Sequence, residues 1–185
     1  PKILIPVTEE SNGRASAPAA HPLCDQLKYI APKNEKEHSL YLAALEQWAM
    51  SDATHPFLRA ILNYVEGGTI ITDLLQAGVL VLDSKGKYDE KQLVRWRVNG
   101  VEGEEPACWK NQKLFSAFVD YYLKRIANRP ALLCMVEGTK VPPAVQHPKG
   151  IIPVNGNAKL ISANDSSGFT YRGRFTEKNQ AATVG

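Results

Sequence analysis

Apolar residues along this chain recur at two spacings, and the points where one spacing gives way to the other mark its elements. Tyr41, Ala44, Leu45, Trp48 and Ala49 fall at intervals of three and four, which predicts a helix from about Asn34. Asn34 is placed to cap it, and Glu37, three residues on, to bond back. After the breaker "SDATHP" the same spacing returns in Phe57, Leu58, Ile61, Leu62 and Val65. Thr54 would cap this second helix, Pro56 suits its first turn, and Gly67-Gly68 offers a left-handed exit. The two helices are expected to pack as a hairpin. A third and longer helix is expected from about Ala107 to Ala127, with Phe115, Phe118, Val119, Tyr122, Leu123 and Ile126 inward and Pro130 ending it.

Elsewhere the period is two. "GVLVLD" and "QLVRWRV" flank the turn-rich "SKGKYDEK" and read as an antiparallel pair. Val94, Trp96 and Val98 share one face of the second strand, and Arg95 and Arg97 share the other. That basic face is either solvated or set to touch phosphate. "KILIPV" reads as a short strand, "TEESNGRASAPAAHP" as an exposed loop, "ALLCMVEG" as a buried strand, and "AKLIS" as a last short strand. The fold class that follows is α+β: a small antiparallel sheet, a helical hairpin, one long amphipathic helix and an irregular basic C-terminal segment. We expect one domain over residues 1–185, as a piece of a longer protein, since Pro1 already opens a strand.

Charge changes the picture in one place. The net charge is only +3, but residues 146–185 hold Lys149, Lys159, Arg172, Arg174 and Lys178 against Asp165 and Glu177. The rest of the chain is balanced, so the whole excess sits in this segment and points it at an anionic partner. No apolar run approaches the roughly 20 residues of a membrane span. Cys24, Cys108 and Cys134 are widely spaced without a CxxC pair, which fits a reducing cytoplasm better than a disulfide framework. Cys134 is expected to pack as a small hydrophobe. His21 and Cys24 have a metal-compatible spacing but lack the two further donors zinc would need, so no metal is expected.

Catalytic patterns are missing. Ser166 or Ser167 would need a base within reach, and the nearest in sequence, His147, sits in the irregular "QHPKG". There is no G-x-S-x-G elbow, no Walker lysine and no GxGxxG, so neither an enzyme nor a bound cofactor is expected. Glu104-Glu105 reads as a polar turn with nothing to desolvate it. What the last segment offers is hydrogen-bonding groups, in Asn155, Asn157, Asn164, Asn179 and Gln180, beside small residues that let a backbone come close. In an extended conformation Phe169, Tyr171 and Phe175 share a face opposite Arg172 and Arg174. Two readings of these residues stand level: a turn and edge strand with basic gatekeepers, or a phosphate-facing strand behind a loop that reads base edges.

The wording of several blocks is specific. "HPLCDQLKYI", "LLCMVEG", "HPKGI", "AKLISANDSSGFTYRGRF" and "NQAATVG", in this order, resemble the large subunit of the type I-C (Dvulg subtype) CRISPR Cascade surveillance complex. The resemblance runs from about His21 to the end, and it implies part of the N-terminal half of a longer subunit. It implies a non-enzymatic role: recognition of a short motif beside the DNA target, contacts near the 5′ handle of the guide CRISPR RNA, and binding of target double-stranded DNA. Neighbouring Cascade backbone subunits and a helicase-nuclease would be its protein partners. Within it, Asn164, Ser166, Ser167 and Gly168 are expected to approach base edges, with Asn155 and Asn157 nearby. Lys149, Lys159, Arg172 and Arg174 would grip phosphates, and "HPLCDQLKYI" would stabilise the domain through Leu23 and Tyr29. A purely structural scaffold, docked on guide RNA or a neighbouring subunit, is the alternative, and a cryptic hydrolase the third reading.

Overall fold

The computed structural model describes residues 4–12, 14, 17–144 and 147. The chain divides into two compact units, residues 1–123 and 124–185. In the first, the described elements run α1 (Glu9–Asn12), β1 (Cys24–Gln26), α2 (Leu27–Ile30), α3 (Glu35–Ala49), α4 (Pro56–Glu66), α5 (Ile70–Gln76), β2 (Leu93–Arg95) and α6 (Gln112–Ile126), the last of which ends just beyond it. The second unit has β3 (Leu132–Leu133) and β4 (Lys140–Val141). The described residues are thus α+β, with six helices and two small antiparallel sheets.

The helical hairpin forms as its periodicity demands. Tyr41, Leu45 and Trp48 of α3 are fully buried, as are Phe57 and Leu58 of α4, with Ile61, Leu62 and Val65 nearly so. Trp48 is the centre of this core. Its ring meets Phe118 edge-on at 5.2 Å and stacks on Tyr121 at 6.1 Å, while its Nε1–H donates to the Ala53 carbonyl at 3.0 Å. Leu23, Leu27, Tyr29 and Ile30 join the same cluster, so "HPLCDQLKYI" is core as expected. The exit from α4 uses Gly68 at φ +67°, a conformation that favours glycine.

The caps differ from expectation. Asn34 makes no side-chain cap; its Nδ2 donates instead to Glu90 at 3.3 Å, where Lys33 also binds at 2.7 Å. His55, not Thr54, caps α4: its Nδ1 accepts from the Phe57 amide at 3.3 Å. "TEESNG" is not wholly exposed loop, since Thr8 and Ser11 bond each other and are buried at α1.

Strand pairing also differs. β2 pairs not with "GVLVLD" but with β1, in the register Cys24↔Arg95, Asp25↔Val94 and Gln26↔Leu93. Neighbouring bonds already claim the backbone at 78–80 and at 83. Val79 and Leu80 amides both return to the Leu74 carbonyl at the end of α5. Asp83 closes a tight turn, accepting from the Lys85 and Lys87 amides at 2.8 Å each. Only Leu80 is buried, while Val79 and Val81 face out. Leu4–Val7 is likewise not in a strand.

Within α6 the buried face is Leu114, Phe118 and Tyr121; Val119 and Leu123 are exposed, a shift of one residue from the expected stripe. The tyrosine wins because its ring packs on Trp48, a tertiary contact that hydrophobicity spacing does not encode. "ALLCMVEG" is not a buried strand either. It yields only Leu132–Leu133, paired with Lys140–Val141 in a ladder of two residues a side with Leu133 and Lys140 exposed, and within the stretch Cys134 alone is buried. "AKLIS" lies outside the described residues.

Candidate nucleic-acid interface

The residues expected to meet nucleic acid, Lys149, Asn155, Asn157, Lys159, Asn164, Ser166, Ser167, Gly168, Arg172 and Arg174, all lie outside the described residues. His147, the base considered for a serine nucleophile, is buried. What the described residues do contain is the other basic feature of the sequence, the arginine face of β2.

That face is built by alternation. Val94, Trp96 and Val98 are half-buried against the helical core, and Trp96 Nε1–H donates to Tyr41 Oη at 2.8 Å while its ring meets Tyr64 edge-on. Burial pushes the Tyr41 phenol far up, so it stays a neutral acceptor. The opposite side, Leu93, Arg95 and Arg97, is exposed as the alternation predicts. A second segment then runs along β2: Arg97 bridges Ala107, the Val98 amide donates to Pro106, and the Cys108 amide donates to Trp96. This brings Trp109 under Arg95, whose guanidinium stands 3.9 Å from the ring centroid. Cys24, Cys108, Trp109 and Phe115, with Leu4–Pro6, line an apolar cleft beneath. Burial pushes the Cys108 thiol up to about 11, so it is an inert packing group at neutral pH.

Two other polar clusters hold the scaffold. The wholly buried Asp25 carboxylate accepts from Arg14 at 2.7 and 2.9 Å, and from the His21 and Gln26 amides at 2.7 Å each. Arg14 lies in addition over the Tyr29 ring. Burial, and then the Arg14 charge, hold the His21 imidazole below its ordinary value. His21 is half-buried and Cys24 buried. Among the described residues no group of three or more His, Cys, Asp or Glu is placed to hold a metal.

Glu104 corrects the reading of "EE" as a bare polar turn. Its side chain is 13% exposed and accepts from Lys113 at 2.7 Å and Asn111 at 2.9 Å, which hold its carboxyl below the usual range. His55 Nε2 lies 3.5 Å from the same carboxylate. Because His55 Nδ1 is an acceptor at the helix cap, the ring proton belongs on Nε2, facing Glu104. Burial pushes the His55 imidazole down, with Glu104 partly opposing. The unfolded chain therefore takes up a proton before the folded one does. This stability is complete above the ordinary imidazole value of about 6.5 and is lost as pH falls below it. His21 contributes in the same direction. We expect the wild-type urea midpoint to fall between pH 7.5 and 5.5, and His55→Asn, which keeps an acceptor without titrating, to fall less. Equal falls in both would remove His55 from the account.

The described residues therefore present an exposed cationic, aromatic face on β2, carried by Arg95, Arg97 and Trp109. Residues 1–185 match the family described as CRISPR-associated protein (Cas_Csd1). The chain belongs to that family, as a CRISPR-associated Cascade subunit, in agreement with the resemblance carried by its motifs. No curated relative and no solved structure matches it. No helix among the described residues is long and apolar enough to cross a membrane.

Proposed function

We propose that this chain is the nucleic-acid-contacting part of a non-catalytic Cascade large subunit. It would help recognise the motif beside the target, bind the target duplex, and contact the guide RNA near its 5′ handle. The observation that carries this is the concentration of the whole net charge in residues 146–185, in a chain of the Cas_Csd1 family. Protein groups that grip phosphate supply affinity without sequence preference, and short amide and hydroxyl side chains meet base edges. The guide reads the target by pairing, so the protein needs to read only the short motif. Backbone subunits and a helicase-nuclease would be the protein partners, in the cytoplasm. Lys149, Lys159, Arg172 and Arg174 take the phosphate role, while Asn155, Asn157, Asn164, Ser166, Ser167 and Gly168 approach the bases.

The test is a pair of variants in the assembled complex. Lys159→Ala/Arg172→Ala is expected to weaken binding to all duplexes about equally and to lower the log–log salt slope by about 2, one per lost phosphate contact. Asn164→Ala should narrow the preference for the motif over a scrambled duplex, by about tenfold for one lost base contact. If both variants bind both duplexes like wild type, the reading falls. If the subunit drops out of the complex on size exclusion first, the scaffold alternative replaces it.

A further inference from the structure

We propose that the outer face of β2, Arg95 and Arg97 with Trp109 and Leu93, is a second site, one that binds an unpaired polynucleotide strand. It deepens the nucleic-acid reading above and takes only its ligand class from it; its residues are separate from those of the 146–185 segment.

Four observations carry it. The arginines are fixed outward: both are exposed, and Trp96 between them is pinned inward by Tyr41. A one-residue slip of the strand would bury both charges, so the register holds them in place. Second, both charges are available. Among the described residues neither guanidinium pairs with a carboxylate; Arg97 donates only to Asn99 at 3.3 Å, and Arg95 meets only the Trp109 ring. Of the three acids in the adjoining loop, Glu104 is taken by Lys113 and Asn111 and Glu105 by the Ala107 amide, while the exposed Glu102 pairs with neither arginine. Third, the Arg95–Trp109 pair is a flat cation already stacked on an indole, so little side-chain freedom remains to be lost on binding. Fourth, the exposed Leu93 extends the apolar part of this face, and the exposed Lys91 and Lys110 extend its charge.

Charge alone would suit any nucleic acid. The flat part decides between forms, because a base held in a duplex has its faces covered, whereas an unpaired base is free to stack on an aromatic or guanidinium plane. Two arginines at alternate positions of an extended strand, about 7 Å apart, then meet successive phosphates of that strand without reading its sequence.

The experiment uses the assembled complex, an end-labelled oligothymidylate of about 20 nucleotides as probe, and a motif-bearing duplex as control. Arg95→Glu/Arg97→Glu is expected to weaken oligothymidylate binding at least about tenfold. Arg95→Gln/Arg97→Gln should lower its log–log salt slope by about 1.4, two contacts at about 0.7 each. Duplex affinity should stay within about twofold of wild type, and the urea midpoint should not move, since both side chains are exposed. Arg95→Lys keeps the charge but loses the flat stack, so a loss of about threefold isolates that part. Failure of the wild type to bind oligothymidylate, or binding unchanged in the glutamate variant, overturns the proposal. So does a parallel loss on the duplex, which would assign the face to duplex grip. A normal result here with an inert Lys159→Ala/Arg172→Ala variant would overturn only the role given to the C-terminal segment.

Discussion

Trp48→Ala is expected to lower the unfolding free energy by about 4 kcal/mol, within the range for truncating a large buried aromatic. The indole is fully buried and touches elements distant in sequence: it packs against Phe118 and Tyr121 of α6, and it bonds the carbonyl of Ala53 in the turn between α3 and α4. Alanine removes the ring and orphans that carbonyl, and rings on two sides cannot all collapse into the space. Trp48→Phe keeps most of the volume and should cost about 2 kcal/mol. Urea unfolding followed by circular dichroism decides it. A loss below about 1 kcal/mol for the alanine would mean that α6 is not packed on α3 as described.

Asp25→Ala should cost about 3 kcal/mol, the lower end of the range for breaking a buried ion pair, because Arg14 keeps some access to water. One carboxylate satisfies a guanidinium and two backbone amides, so its removal leaves three groups short of a partner at once. Arg14→Met should cost less, since the two amides would still bond Asp25. The same urea titration orders the two variants, and a larger loss in Arg14→Met would show that the arginine, not the aspartate, organises the segment from Ala19 to Tyr29.

The α3–α4 hairpin was legible because its apolar spacing is long and its breakers are strong, so Tyr41, Leu45, Trp48, Phe57 and Ile61 all fall where periodicity puts them. Features that depend on distant partners were not. Asn34 has a capping residue's chemistry, but Glu90 is the better-placed partner for its amide. "GVLVLD" has a strand's alternation, yet a helix exit and an aspartate turn claim its backbone first. In α6 two overlapping stripes fit the same period, and the ring of Trp48 selects Tyr121 over Tyr122. The candidate face was half legible. Alternation places Arg95 and Arg97 together, but Trp109 arrives beneath them only through the bridge at Ala107.

The pairing of β1 with β2 has a kinetic consequence. All of α3, α4 and α5 lie between the two strands, so the sheet closes only after a long loop has been ordered. The hairpin is local and can form early, while the β1–β2 ladder is expected to close late and to set the folding rate. Its amides, with those of Leu27 and Lys28 bonded to Gln92 and Glu90, then belong to one cooperative unit. They should exchange with solvent hydrogen together. The face that carries Arg95 and Arg97 would therefore exist only in the completed fold, and a nascent chain would not display it.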